Sequence, residues 1–319
     1  MIEDGPPNLH TVKEFFNQIT PFLENKPLIR EIKSGPVLYV GDIHGFYVSL
    51  MNAFKVAEIK KVNTIVFLGD YADRGPDQLK CLLKVMDTFA RSEGYRNTGI
   101  LRNYIQEEKY PFKVIALRGN HEDSEINIKY GFKEDLLNKH KFPVFPSETL
   151  DKLYSNLPLI ATTRWKTMGV HGGIPKPREG LSVSNLPRYL ITKRTPLHID
   201  SVELMKEVYQ IQWNDPYFGN DNSESEFRES FRGINIYEYN KAALEEFLKF
   251  NSYLRLVRAH ETTRDGYEIH WDNKLVHIFS ASPYFDRVKQ AAYFLEHEDG
   301  TGEIVDGSGK RLREVSPPK

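Results

Sequence analysis

Six side chains in this sequence are of the kinds that hold divalent cations through nitrogen and oxygen: Asp42, His44, Asp70, Asn120, His171 and His260. Each stands at the end of a short apolar run: Val37-Leu-Tyr-Val-Gly-Asp-Ile-His-Gly45, Asn63-Thr-Ile-Val-Phe-Leu-Gly-Asp70, Phe112-Lys-Val-Ile-Ala-Leu-Arg-Gly-Asn-His121, Thr167-Met-Gly-Val-His-Gly-Gly173 and Leu254-Arg-Leu-Val-Arg-Ala-His260. With no thiolate among them, the set suits Mn, Fe or Zn better than Ca or a closed structural zinc site. One ion cannot use all six and leave room for a substrate, whereas two can if a carboxylate bridges them. Asp70 is the candidate bridge, because its run lies between the first and the third. Two ions roughly 3.5–4 Å apart lower the pKa of a water from about 15.7 towards about 7 and polarise a phosphoryl oxygen. Arg74, directly after Asp73, carries the planar fork that suits phosphate. His121 stands beside Asn120, where it can protonate a leaving alkoxide, and Asp73 can hold its tautomer and raise its basicity.

Loop residues need strands and helices to aim them. Short apolar runs closed by glycine read as buried strands ending in tight loops, and open α/β sheets carry their chemistry beyond the carboxyl ends of strands. Tyr47, Leu50, Met51 and Phe54 repeat at helical spacing after the first run, and Leu79, Leu82, Leu83, Met86 and Phe89 after the second, where Pro76 can open the helix. Two strand–helix units followed by a third strand predict a βαβαβ half with a parallel sheet. Residues 254–295 alternate strands and predict a second sheet.

An amphipathic helix is expected from Val12, Phe15, Phe16 and Ile19, opened by the capping-box pattern Thr11-Val-Lys-Glu14. The expected division is a helical extension over 1–35, a catalytic domain over 36–297 and a polar, frayed tail over 298–319. Residues 91–111 read as a surface insertion with a short helix near Leu101–Glu108. Residues 174–200 read as proline-rich and irregular, and Tyr217–Glu229 as a loop.

Among 319 residues, 40% are hydrophobic and the net charge is −1, enough for a sizeable core and no pull towards nucleic acid or a membrane surface. One cysteine, Cys81, permits no internal disulfide and fits a reducing cytoplasm, with the nucleus open to a eukaryotic chain. No apolar stretch reaches the roughly 18 residues of a membrane span, and the acidic N-terminus lacks a signal peptide's basic start. Cys81 has no arginine six residues on, so cysteine-phosphatase chemistry is excluded. The absence of Asp-x-Asp argues against an aspartyl-phosphate enzyme, and no P-loop occurs. A lone histidine is more often a core residue than a ligand, and His10, His140, His198, His270, His277 and His297 are read that way. Trp213 and Tyr284 are either core aromatics or cleft residues; spacing leaves both open.

Gly41-Asp-Ile-His-Gly45, Gly69-Asp-Tyr-Ala-Asp-Arg-Gly75 and Gly119-Asn-His-Glu122 resemble the three signatures of the PPP family of metal-dependent serine/threonine phosphoprotein phosphatases. His171-Gly-Gly173, Trp213-Asn-Asp-Pro216, Arg232-Gly233, Arg258-Ala-His-Glu261, Phe279-Ser-Ala and the segment Asn127 to Phe132 extend the likeness in order, over about residues 41–284. The resemblance implies an α/β metallophosphatase sandwich of two mixed sheets flanked by helices. It implies one ion on Asp42, His44 and Asp70, and another on Asp70, Asn120, His171 and His260. It further implies Asp73–His121 as the acid pair, Arg74, Arg232, Asn120 and Tyr284 as phosphate contacts, and Trp213 and Asp215 as cleft walls. The resemblance also implies attack by metal-activated hydroxide in a single in-line step. Mn is the expected ion in vitro and Fe or Zn the native choice, with phosphoproteins as substrates and regulatory subunits as partners.

The sequence departs from the pattern in places. Ser282-Pro283 stands where Pro-Asn is usual, Phe285 where type one and type two A members carry Cys, Asn214 for a small residue and Glu261 for a frequent Gln; Phe-Gly is missing after Arg232-Gly233. Hydrolysis of dinucleoside polyphosphates on the same core is the alternative activity, and a phosphoprotein-binding pseudophosphatase the non-enzymatic one.

Overall fold

The computed structural model describes residues 6–24, 26–96, 98–105, 109–177, 202–219 and 226–318. The chain begins with α1 (Leu9–Leu23), which buries Val12, Phe15, Phe16 and Ile19 as their spacing predicts. Its cap is Asn8 rather than Thr11: the Asn8 side chain accepts from the Thr11 amide at 2.9 Å, so the helix starts one turn earlier than the capping-box pattern suggests. Strand β1 (Ile29–Ile32) follows, and the region read as purely helical therefore contributes to a sheet. Four residues with two of them charged are too short a run to stand out in sequence.

The expected βαβαβ half is present. Strands β2 (Val37–Val40), β3 (Thr64–Phe67) and β4 (Lys113–Ala116) pair in parallel, with Val40 opposite Phe67 and Phe67 opposite Ala116. Helices α2 (Tyr47–Ile59) and α3 (Gln78–Ser92) make the crossovers. Both β2 and β3 are buried along their whole length, as parallel strands covered on two faces must be.

The chain continues through α4 (Ser124–Lys129), α5 (Phe132–Glu134), a single π turn (Asp135–Lys139) and α6 (Ser147–Tyr154) to β5 (Ile160–Thr163) and β6 (Thr167–Gly169). Helix α7 (Val202–Trp213) leads into a small sheet of β7 (Asp215–Pro216), β8 (Phe227–Glu229) and β9 (Tyr237–Tyr239), followed by α8 (Lys241–Asn251). The last elements are β10 (Arg255–Arg258), β11 (Tyr267–His270), β12 (Leu275–Ile278), β13 (Ala292–Glu296), β14 (Gly302–Asp306) and β15 (Arg311–Val315).

One six-stranded sheet has the order β1-β5-β6-β10-β12-β11, the other β15-β14-β13-β2-β3-β4. Val66, Leu68 and Ile115 from one meet Ala161, Val257 and Val276 from the other in the core between them. Both sheets mix parallel and antiparallel pairs and helices flank them, the architecture expected from the sequence.

Three expectations need correction. The second sheet ends at β12; β13 crosses back to pair antiparallel with β2, Tyr293 opposite Val40. Residues beyond Glu298, expected to fray, form β14 and β15: Ile304, Val305 and Val315 are buried and Leu312 packs against the core, but the charged Glu303, Arg311, Arg313 and Glu314 interrupt them and make the segment read as polar. The 91–111 insertion is packed rather than superficial: Arg91 and Ser92 end α3, Leu101 and Ile105 are buried in the core, and 101–105 form turns where a helix was expected, 106–108 lying outside the described residues. The expectations for 178–200, and for 220–225 within the Tyr217–Glu229 loop, lie outside the described residues.

Candidate active site

The carboxyl ends of β2, β3, β4, β6, β10 and β12 bring six loops to one edge of the sandwich. The first loop hangs on the second: the Ile43 and His44 amides both donate to the Asp70 carbonyl, at 3.0 and 2.8 Å. Where it passes β12, a Cβ on Gly41 would lie 2.3 Å from the Ile278 carbonyl oxygen, so only glycine fits. His44, Asp70, Asp73, Arg74 and His260 all adopt positive φ, between 45° and 76°. Each such residue costs of order 1 kcal/mol or more and persists only where its surroundings over-determine it. Five of the fifteen non-glycine residues with positive φ among the described residues are thus ones whose types first drew attention.

Asp42, His44, Asp70, Asn120, His171 and His260 do converge. His44 Nε2 lies 3.5 Å from both Asp42 Oδ2 and Asp70 Oδ2, and His171 Nε2 lies 3.3 Å from Asp70 Oδ1. Asn120 Oδ1 sits 2.8 Å from His171 Nε2 and 3.1 Å from His260 Nδ1. Asp70 therefore stands between two donor groups, one including His44 and the other His171 and His260.

These residues fit a pair of cations on local grounds. His44 and His171 each direct Nδ1 at a backbone carbonyl, Ala72 and Leu68, both at 3.0 Å. That fixes the tautomer and turns the Nε2 lone pairs inward, as ligating histidines require. Asp42 Oδ2 is buried without a hydrogen-bond partner. The Asn120 oxygen points at two imidazole nitrogens, an arrangement reconciled either by turning the amide or by a cation among the three. Burial alone would raise the Asp70 carboxyl, but His171, His121 and His44 hold it well below the usual carboxylate range.

Beside this cluster stands a proton-handling pair. His121 Nδ1 lies 2.6 Å from Asp73 Oδ2, leaving Nε2 to face the cleft. Asp73 is itself fixed by the Asn127 side-chain amide at 2.9 Å and the Phe132 backbone amide at 3.1 Å, and Asn127 is held by the Tyr154 hydroxyl. Burial pulls the His121 pKa below its ordinary value, although Asp70 and Asp73 favour the charged ring.

Arg74, Arg232 and Arg287 line the same cleft of about 740 Å³. Arg74 donates to the Tyr284 hydroxyl, lies 3.3 Å from His121 Nε2 and rests 5.1 Å from the Tyr130 ring centre. Arg232 donates to Asp215, whose other oxygen accepts from the buried Arg258 at 2.7 Å. Glu261 accepts from Arg258 at 2.6 Å and lies 3.8 Å from Arg232. Tyr284 stacks on His44 with ring centres 5.7 Å apart, and Trp213 meets His260 edge-on at 5.6 Å. Both aromatics left open by spacing thus belong to the cleft.

Sequence reasoning passed over Glu122, which is fully buried and accepts from the amides of Asp70, Tyr71 and Gly119 at 2.8, 3.0 and 2.8 Å. It stitches the second loop to the third, and burial with the nearby Asp70 pushes its pKa up to about 7. Gln212 ties α7 to the third loop, donating to the Gly119 carbonyl at 2.5 Å. Glu122 stands inside Gly119-Asn-His-Glu122, so its position was visible although its task was not; Gln212 carries no signal in sequence.

The family model described as calcineurin-like phosphoesterase matches residues 35–263. The chain is 27% identical over 300 residues to the serine/threonine-protein phosphatase PP2A-like PPG1 of Candida albicans, covering 93% of this chain and 64% of that protein, just under two thirds of the relative's length. It is 28% identical to a protein phosphatase 2A catalytic chain of Dictyostelium discoideum, over 90% of this chain and 81% of the relative. A solved serine/threonine phosphatase of Saccharomyces cerevisiae, with similarity to human PP5, superposes with a TM-score of 0.70 at 19% identity, covering 98% of this chain and 93% of that one. At that identity the superposition establishes the fold.

Proposed function

Because this chain belongs to the calcineurin-like phosphoesterase family, we propose that it hydrolyses phosphoserine and phosphothreonine monoesters of proteins. The observation that carries this reading is the meeting of Asp73–His121 and Arg74 beside a buried set of nitrogen and oxygen donors. Asp42, His44 and Asp70 would hold one divalent ion and Asp70, Asn120, His171 and His260 a second. When bound, such ions supply an acidified water and a polarised phosphoryl oxygen.

The protein's own residues supply the rest. Arg74 presents its planar fork to the phosphoryl oxygens, and Tyr284, its hydrogen-bond partner, keeps the fork over the donor cluster. Asn120 and Arg232 offer further polar contacts to the same group. His121, anchored through Nδ1 on Asp73, turns Nε2 towards the cleft and passes a proton to the serine or threonine oxygen as it leaves. Trp213 lines the wall beside His260, and Asp215 stands behind it, holding Arg232 and Arg258. The single buried cysteine is in keeping with a cytoplasmic enzyme, and regulatory subunits are proposed partners. Among the described residues no helix is long and apolar enough to cross a membrane.

A phosphothreonine peptide and diadenosine tetraphosphate, assayed side by side with Mn²⁺ and again after exhaustive chelation, test the reading. Metal-dependent release of phosphate from the peptide is expected. Preference for the dinucleotide, or full peptide turnover without metal, would overturn it.

A further inference from the structure

The hairpin that delivers Arg232 has an unusual tip. Strands β8 and β9 pair antiparallel, with Glu229 opposite Tyr237, and residues Ser230 to Ile236 connect them. The turn is well made: the Ser230 amide donates to the Ile236 carbonyl at 2.9 Å, the Arg232 amide to Ser230 Oγ at 3.2 Å, and Ile236 is buried. Yet Phe231 and Ile234, on either side of the Arg232-Gly233 pair, are 89% and 88% exposed. Polar residues, glycine and proline ordinarily occupy such tips.

Single exposed apolar residues need no explanation, but this pair stands next to the cleft. The Arg232 guanidinium lies 5.8 Å from the centre of the Phe231 ring and itself lines the cleft. A separate connection, between β12 and β13, brings Phe285 to the same cleft at 64% exposure. Arg74, Arg232 and Arg287 line the cleft as well, so its mouth combines cationic groups with bare apolar surface. A phosphorylated side chain satisfies the first and leaves the second to the residues around it.

We propose that the tip formed by Phe231 and Ile234 is a docking platform for the substrate polypeptide, and that the preferred substrate carries a large apolar side chain next to its phosphorylated serine or threonine. The proposal rests on the phosphatase reading of the cleft. Its chemistry is burial of two apolar side chains against a third, with the phosphate held inside the cleft that Arg232 helps to line. Taking one large aliphatic side chain out of water is worth about 10-fold or more in affinity.

The test uses the full chain with Mn²⁺, wild type against Phe231→Ser, Ile234→Ser and the double variant. Two phosphothreonine peptides differ only in having leucine or serine beside the phosphoresidue, and para-nitrophenyl phosphate serves as a substrate too small to reach the tip. Wild type should favour the leucine peptide about 10-fold in kcat/KM, mostly through KM. The double variant should lose that preference while hydrolysing para-nitrophenyl phosphate within twofold of wild type. Equal kcat/KM for the two wild-type reactions would overturn the proposal. So would variants that lose all three substrates together, because the tip would then act only by aiming Arg232. A dimeric wild type that becomes monomeric in the double variant, with the leucine preference intact, would assign the patch to a second copy of the chain instead. Failure of the wild type on para-nitrophenyl phosphate as well would sink the phosphatase reading and the platform with it, a result distinct from a flat peptide preference. Both side chains face water, so the variants should fold, and Ile234→Ser alone leaves the Phe231–Arg232 contact in place.

Discussion

Arg74 and Arg232 enter one cleft from different walls and keep very different company. Arg74 is held by neutral groups: a tyrosine hydroxyl, an imidazole nitrogen and an aromatic face. Arg232 is held by Asp215, with Glu261 close by and Arg258 pinning both carboxylates from behind. A guanidinium among neutral partners keeps its charge for an incoming anion. One already paired with carboxylates must first be given up by them. Phosphate affinity should therefore reside mainly on the Arg74 wall, and orientation of the substrate chain on the Arg232 wall.

The largest effect should come from the proton donor on the Arg74 side. His121→Asn is expected to lower kcat on a phosphothreonine peptide roughly 10²–10⁴-fold, and much less on an aryl phosphate, whose leaving group needs little protonation. Equal losses on both would remove the proton-donor role. Next, Arg74→Ala should cost about 100-fold in kcat/KM and Arg232→Ala about 10-fold, a ratio set by charged hydrogen bonds of about 1.5–3 kcal/mol against bonds already compensated. Steady-state kinetics showing the reverse order would break the comparison.

A smaller change should sharpen it. Glu261→Gln removes one of the charges holding Arg232, so inorganic phosphate should inhibit several-fold more tightly, while Tyr284→Phe should leave the Arg232 wall untouched. The mildest test lies away from the cleft. Glu296 is buried and accepts from the Tyr39 hydroxyl at 3.1 Å and Arg255 at 3.3 Å; burial raises its carboxyl to about 6 despite help from Thr167 and Arg255. A pKa raised on folding contributes stability in full below the unfolded value of 4.5 and loses it as pH rises through about 6, a change of about 2 kcal/mol. Urea unfolding at pH 4.5 and pH 7 should show a smaller loss in Glu296→Gln than in wild type, the difference being the Glu296 share, since Glu122 titrates over the same range in both.

The two walls were also unequally legible. Asp42, His44, Asp70, Asn120 and His121 follow apolar runs closed by glycine, and such local patterns survive in a linear string. Asp215, Arg232, Arg258 and Glu261 sit on three different elements and meet only after the small sheet packs against the large one. Resemblance supplied Asp215 and Arg232 as positions, but nothing in spacing says that two carboxylates restrain one arginine. The fold was read in the same uneven way. Parallel β2, β3 and β4 are continuous apolar runs, whereas β14 and β15 hide their core residues among charges, and β1 is four residues long. Helix periodicity found α1 but placed its cap at Thr11, because Asn8 and Thr11 both carry side chains that can cap.

The pairing of β2 with β13 bears on how the protein is made. Asp42 lies just beyond a strand whose neighbour on one side, β13, is synthesised long after it, with Tyr293 opposite Val40. The backbone amide of His260 donates to Asp42 Oδ1 at 2.9 Å, a partner almost as remote. On the ribosome, β2, β3 and β4 can associate early, but the first loop has no closed surroundings until the final strands emerge. A nascent chain halted before Ala292 would expose an unpaired β2 edge, a surface for chaperones or for misassembly with another chain.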